Sequence, residues 1–209
     1  MAPELRMLTQ AVELRVDGEA QTLAGYGAVF NREAVIAGYF REVILPGAFK
    51  DSLRDEDVVV SFNHDANYVL GRKSSDTATV SEDDTGLRYA VQVNPDDPDH
   101  VRVLQKVRRR DVKGSSFMFE VERDEDEAWV RDDPAKLPLR QVKRARLYET
   151  GPVTYPAYQE STVSARAQGA LSALSQREEA ALTQPVVDVA LLRARARARV
   201  ELEIAGIEA

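Results

Sequence analysis

The 209-residue chain contains no cysteine and only two histidines. The first absence excludes disulfides, thiolate nucleophiles and cysteine-held metals, and it fits a reducing cytoplasm. The second leaves His64 and His100 as the whole supply of imidazole for base or ligand chemistry, so neither a metal centre nor a cofactor is expected. Long hydrophobic runs are missing as well. No segment approaches the ~18 consecutive apolar residues of a membrane span, and Met1 to Val16 has no apolar run of the signal-peptide kind. The sequence therefore predicts a protein that is neither secreted nor anchored, with no membrane partner. An excess of positive charge is also lacking: 35 acidic side chains outnumber 28 basic ones, a formal charge of -7. Coating of nucleic acid, which normally calls for a net basic domain, is not expected of it.

What is present folds. Apolar residues at 44% are too many for a wholly disordered chain, and the length suits one sizeable core with an appendage. From Ala11 to about Arg166 the pattern is of short alternating runs broken by turn residues, the signature of strands. Val12 to Val16 and Leu23 to Phe30 predict an opening hairpin about Asp17-Gly18. Ala48 to Leu53 suits a short helix after Pro46-Gly47. Val58 to Phe62 reads as a buried strand that delivers Asn63-His64-Asp65 to its exit. Thr77 to Val80 and Leu87 to Val93 predict a second hairpin. Asp97-Pro98 predicts a helix start, with an N-cap and proline at the first helical position, and the helix runs towards Gly114. Ser115 to Val121 returns to alternation, with Phe117, Phe119 and Val121 on one face and Ser116, Met118 and Glu120 on the other. The charged stretch Arg123 to Lys136 reads as a solvated excursion or a hairpin tip. Leu139 to Glu149 is partly alternating, and Thr150-Gly151-Pro152 is expected to break it. Beyond Arg166 the composition turns to Ala, Leu, Glu and Arg, predicting two helices, Ala170 to Leu182 and Val186 to Ile204, divided by Pro185. The domain organisation expected is therefore 1–166 and a helical extension over 167–209.

Candidate chemistry is scarce. His100, on the proposed helix beside Asp97 and Asp99, reads as a surface histidine. His64 stands where an apolar strand gives out, a place that suits either a structural histidine or a base presented to a cleft. Ser115 and Ser116 are strand or turn hydroxyls on composition alone, and Glu149 is a glutamate at a strand end. Arg144 and Arg146 are either a solvated strand face or donors to a developing oxyanion. Lys106 and Arg108 to Arg110 offer either a nucleic-acid contact or the cationic end of a helix, where the dipole favours them.

Five stretches, taken in order, carry a resemblance. They are Gly25-Tyr26-Gly27-Ala28-Val29-Phe30-Asn31, Ile44-Leu45-Pro46-Gly47-Ala48-Phe49, Phe62-Asn63-His64-Asp65, Gly114-Ser115-Ser116-Phe117-Met118-Phe119, and Glu149 to Tyr158. Together, over about Leu23 to Ser164, they resemble the prohead protease family of tailed DNA phages, serine endopeptidases of capsid maturation similar in fold to the herpesvirus assemblins. The resemblance implies an α+β, β-rich fold: a small β-barrel surrounded by helices, here with the helical C-terminal tail added. It implies His64 as the base, Ser116 rather than Ser115 as the nucleophile, and Glu149 as the third member of a triad. Around that third position Thr150-Gly151-Pro152-Val153-Thr154 departs from the commoner Glu-Val-Ser-Leu-Val-Thr wording. It further implies scaffold, or the scaffolding segment of the major capsid protein, as substrate, self-cleavage, and work inside the procapsid in the bacterial host cytoplasm. The similarity to assemblins suggests a homodimer. A reading from another class is a non-enzymatic scaffold or capsid-interaction protein that keeps the protease fold, for which an Ala/Leu/Arg-rich tail would serve as a docking element.

Overall fold

The computed structural model describes residues 3–8, 13–17, 20–131 and 133–155. The elements in chain order are β1 (Glu4–Leu8), β2 (Glu13–Asp17), β3 (Ala20–Val29), β4 (Ala34–Ile36), β5 (Phe40–Ile44), α1 (Lys50–Asp55), β6 (Val59–Ser61), β7 (Val69–Arg72), β8 (Ala78–Glu82), β9 (Gly86–Gln92), α2 (Pro98–Arg108), β10 (Gly114–Glu120), β11 (Glu127–Val130), β12 (Leu139–Val142) and β13 (Arg146–Val153). They make a β-rich α+β fold of three sheets, ordered β1-β10-β13-β6-β7, β2-β3-β9-β8 and β11-β12-β5-β4. In the first sheet β13 runs antiparallel to β10 but parallel to β6.

Alternation on β10 builds the core. Phe117 and Phe119 point to the same face, stack at 5.2 Å, and receive the edge of Phe49 at 5.7 and 6.4 Å. Phe49 is brought there by the turn Leu45 to Ala48 ahead of α1, and its backbone N–H donates to the Glu82 carboxylate at 2.9 Å. All three rings are almost completely buried together with Leu87, Tyr89 and Val60. The Gly25 and Gly27 pair lets β3 lie directly on this layer. A Cβ on Gly25 would stand 2.5 Å from the Tyr89 hydroxyl, and one on Gly27 would stand 2.3 Å from Thr150 Oγ1. The glycines of the first resembling stretch are there for close approach between sheets.

Most predicted elements form. Both hairpins are present, as β2–β3 and β8–β9. The Asp97 carboxylate caps α2 by accepting from the backbone N–H groups of Asp99 and His100, and the helix ends at Arg108, ahead of Gly114.

Four expectations change. No closed barrel forms among the described residues: closure needs the outer strands to pair, whereas each sheet here ends in two edge strands and meets its neighbours through side chains. Thr150-Gly151-Pro152 does not break the strand. β13 runs through it because Gly151 fits against the Ser61 carbonyl, where a Cβ would come within 2.0 Å, and the Pro152 carbonyl accepts from Asn63 N–H. The two readings of Arg123 to Lys136 narrow to the hairpin, since β11 pairs antiparallel with β12 and sets Trp129 edge-on to Phe40 at 5.1 Å. Finally, β1 was not expected at all: its five residues are legible as a strand only beside β10. The two predicted tail helices lie outside the described residues.

Candidate active site

The face of β10 opposite the phenylalanines carries Ser116. Ser115, on the core face, is buried against the Tyr89 hydroxyl at 2.9 Å, where nothing basic reaches it. Ser116 Oγ lies 2.6 Å from Nε2 of His64. The strand periodicity therefore separates the two serines: one is part of the core and the other faces an imidazole.

His64 reaches that position through a tight turn at the exit of β6. Asn63 and His64 adopt left-handed φ values of 57° and 58°, a region in which Asn and His are the better tolerated non-glycine residues. The turn is tied at both ends. Asn63 donates its backbone N–H to Pro152 O at 3.1 Å and its side-chain N–H to Thr154 Oγ1 at 3.1 Å, while its Oδ1 accepts from Thr154 N–H at 2.8 Å. Asp65 closes the turn by accepting from the backbone N–H of Asn67. These bonds offset the cost of two strained residues, about 1 to 3 kcal/mol each.

Glu149 stands in β13 across from Met118 in β10 and beside Val59 in β6, on the same face as Ser116. A bulge at Tyr148 sets this register, because Met118 pairs with Glu149 but Phe119 pairs with Leu147. Glu149 Oε1 lies 3.1 Å from Nδ1 of His64 and also accepts a short bond from the Ser61 hydroxyl. The side chains of His64 and Glu149 are only 11% and 15% exposed, so little water competes for these contacts. Thr150, next in the strand, donates through Oγ1 to the Ser116 carbonyl at 2.9 Å.

All three predicted residues are therefore joined in one line: hydroxyl, imidazole, carboxylate. The carboxylate can hold Nδ1–H, which leaves Nε2 to exchange a proton with the hydroxyl, the arrangement that activates a serine. This chain belongs to the Caudovirus prohead serine protease family. The family model matches residues 9–175, most of the chain and somewhat past Arg166. No curated protein matches it and no solved structure matches it. At the level of the family it is a phage capsid-maturation protease that acts on capsid or scaffold proteins inside the procapsid.

The other candidates of this prohead protease lie elsewhere. Arg146 pairs with Glu56 at 3.1 Å and Arg144 with Asp51 at 3.3 Å. Both line a charged cleft of about 250 Å³ that contains none of Ser116, His64 and Glu149. His100 accepts the backbone N–H of Asn94 at Nδ1 and so stays within its own helix start. Arg108 donates to Gln21 and Arg109 pairs with Asp111. Among the described residues there is no cluster of metal-ligating side chains, and no helix is long and apolar enough to cross a membrane. The sequence reading missed Ser61, Asn63 as a tether, and Thr150. The polar Ser61 at the end of an otherwise apolar strand was the signal available for the first.

Proposed function

We propose that this prohead protease is a serine endopeptidase with Ser116 as nucleophile, His64 as general base and acid, and Glu149 as the group that orients the imidazole. Its substrates are the scaffold or the scaffolding segment of the major capsid protein, and itself. Ser116 Oγ attacks the scissile carbonyl as Nε2 of His64 takes its proton. The imidazolium, stabilised by Glu149, then gives the proton to the leaving amine, and water repeats the sequence on the acyl-enzyme. With Arg144 and Arg146 engaged by carboxylates, backbone N–H groups beside Ser116 are the better candidates for the oxyanion hole.

The observation that carries this reading is the pair of contacts at 2.6 and 3.1 Å that links hydroxyl to imidazole to carboxylate. Co-expression with the major capsid protein of the same phage, followed by fragment sizing, tests it. Ser116→Ala and His64→Ala should each stop processing while leaving a folded chain, since loss of either member of such a unit removes several orders of magnitude in rate. Unchanged processing by folded Ser116→Ala would sink the assignment and favour a scaffold that only keeps the protease fold.

A further inference from the structure

The edge of β10 beside Ser116 is occupied by β1 of the same chain, antiparallel, with Glu4 opposite Phe119, Arg6 opposite Phe117 and Leu8 opposite Ser115. We propose that this edge is the groove in which the protease binds extended peptides, that Glu42 and Arg140 select for an acidic-x-basic sequence cut after the basic residue, and that β1 fills the groove in cis as a substrate-like strap. The proposal rests on Ser116 being the nucleophile.

Three observations lead to it. First, the carbonyl oxygen of Arg6 lies 2.7 Å from Ser116 Oγ. The hydroxyl has one proton and two acceptors, this carbonyl and His64 Nε2, so β1 sets a peptide group against the nucleophile and competes for its proton. Second, the side chains N-terminal to that carbonyl are read by paired contacts. The Arg6 guanidinium meets Glu42 through Nε at 2.5 Å and an NH2 group at 2.9 Å and lies 5.4 Å from the Phe119 ring centroid. Two residues earlier, the Glu4 carboxylate accepts from Arg140 at 2.7 and 2.9 Å. Such two-point pairs carry geometric selectivity as well as energy.

Third, the selecting groups are held without β1. Arg140 donates to Glu42 at 3.0 Å and to Glu127 at 2.7 Å, and with β1 in place the side chains of Glu42 and Arg140 are each only 4% exposed. With Glu4 and Arg6 withdrawn, Glu42 loses its two bonds from Arg6 and keeps the one from Arg140, and Arg140 loses both of its bonds to Glu4. A carboxylate and a guanidinium left short of partners favour a ligand that brings a cation to the place of Arg6 and an anion to that of Glu4.

In a substrate bound this way, Ser116 Oγ bonds to the carbonyl carbon of the basic residue and its proton passes to His64. The peptide C–N bond breaks and the amine leaves with that proton. Water then hydrolyses the ester, releasing the carboxylate and restoring the hydroxyl.

The test uses the full chain and internally quenched peptides built on Pro-Glu-Leu-Arg-Met-Leu, with Arg replaced by Ala or Glu and Glu replaced by Ala. Mass spectrometry should find cleavage between Arg and Met, and Ala for Arg should lower kcat/KM about 10- to 100-fold, the range expected for losing a hydrogen-bonded contact to a buried charge. Arg6→Ala, by loosening the strap, should raise turnover of the Arg peptide about tenfold or more, mainly through a lower KM, whereas Arg6→Lys should not. Glu42→Gln should remove most of the preference for Arg. Equal rates for the Arg and Ala peptides with the unsubstituted chain would overturn the proposal without any variant, as would cleavage at another bond or no gain from a folded Arg6→Ala chain. A fluorophosphonate probe separates the two layers. Labelling of Ser116 with no sequence preference leaves the protease reading standing and refutes the groove, whereas no labelling and no capsid cleavage refutes both.

Discussion

The contact between Gly27 and Thr150 allows a quantitative test of how sheet packing holds the nucleophile strand. Gly27 sits at the irregularity between Tyr26 and Ala28 in the β3–β9 ladder. A methyl group there would meet Thr150 Oγ1 at 2.3 Å, while its next neighbours, Leu87 Cδ2 and Phe117 Cβ, stand at 3.4 Å. Gly27→Ala should therefore cost about 1 to 3 kcal/mol through overpacking. Thr150→Ala removes the obstructing oxygen but also its bond to the Ser116 carbonyl, at about 1 kcal/mol. In the double variant the clash is gone and the remaining contacts are tolerable. The backbone at Gly27 is not in the left-handed region, so the added methyl also recovers roughly 0.4 to 1 kcal/mol from a less flexible unfolded chain. The double variant should be no less stable than Thr150→Ala alone, giving a coupling of about 1 to 3 kcal/mol. Urea unfolding of the four chains, with the slope checked for constancy, measures this. Costs that add to within ~0.5 kcal/mol would refute the reasoning, because the oxygen would then not be what excludes a side chain at position 27.

Acid should weaken the β1 clamp: burial by itself raises the Glu4 pKa, but the hydrogen bond from Arg140 and the charges of Arg6 and Arg140 outweigh it and bring it from 4.5 to about 2. A depressed folded-state pKa means the stabilisation, on the order of 3 kcal/mol, is present above pH 4.5 and is lost as pH falls towards 2; a Glu4→Gln chain whose unfolding midpoint keeps the same acid dependence would contradict this. Ser61→Ala removes a donor to the Glu149 carboxylate, so kcat should fall about tenfold with KM little changed. Ser61→Thr should recover the rate, and an unchanged kcat in a folded Ser61→Ala chain would reduce Ser61 to a packing role. Truncation after Arg166 should leave the β-rich part folded by circular dichroism but absent from purified procapsids; an unfolded product would refute the division at that point.

The local signals in the sequence were strong where short-range physics decides the outcome. Asp97-Pro98 caps and starts α2 by local hydrogen bonding, Ser115 to Val121 alternates because β10 buries one face, and the acidic turn from Glu82 to Gly86 closes a hairpin. The serine, histidine and glutamate were legible as a set only through resemblance, since 52 residues separate His64 from Ser116 and no periodicity spans that gap. Thr150-Gly151-Pro152 misled because its residues break strands on average, yet Gly151 lies under Ser61 and Pro152 lends its carbonyl to Asn63.

By itself, the sequence determined which chemistries were closed: the absence of cysteine excluded thiolate nucleophiles, disulfides and cysteine-held metals, and two histidines made the search for an imidazole short. It also determined the alternation that puts Ser115 on the face of Phe117 and Phe119 and Ser116 on the opposite one. Only the tertiary structure decided that β6, β10 and β13 bring His64, Ser116 and Glu149 within hydrogen-bonding distance, and that β1 lies across the nucleophile with Glu4 and Arg6 read by Arg140 and Glu42. Those pairings join residues up to 136 positions apart. They arise from sheet order and from the cost of leaving buried charges unmatched, neither of which a local pattern encodes.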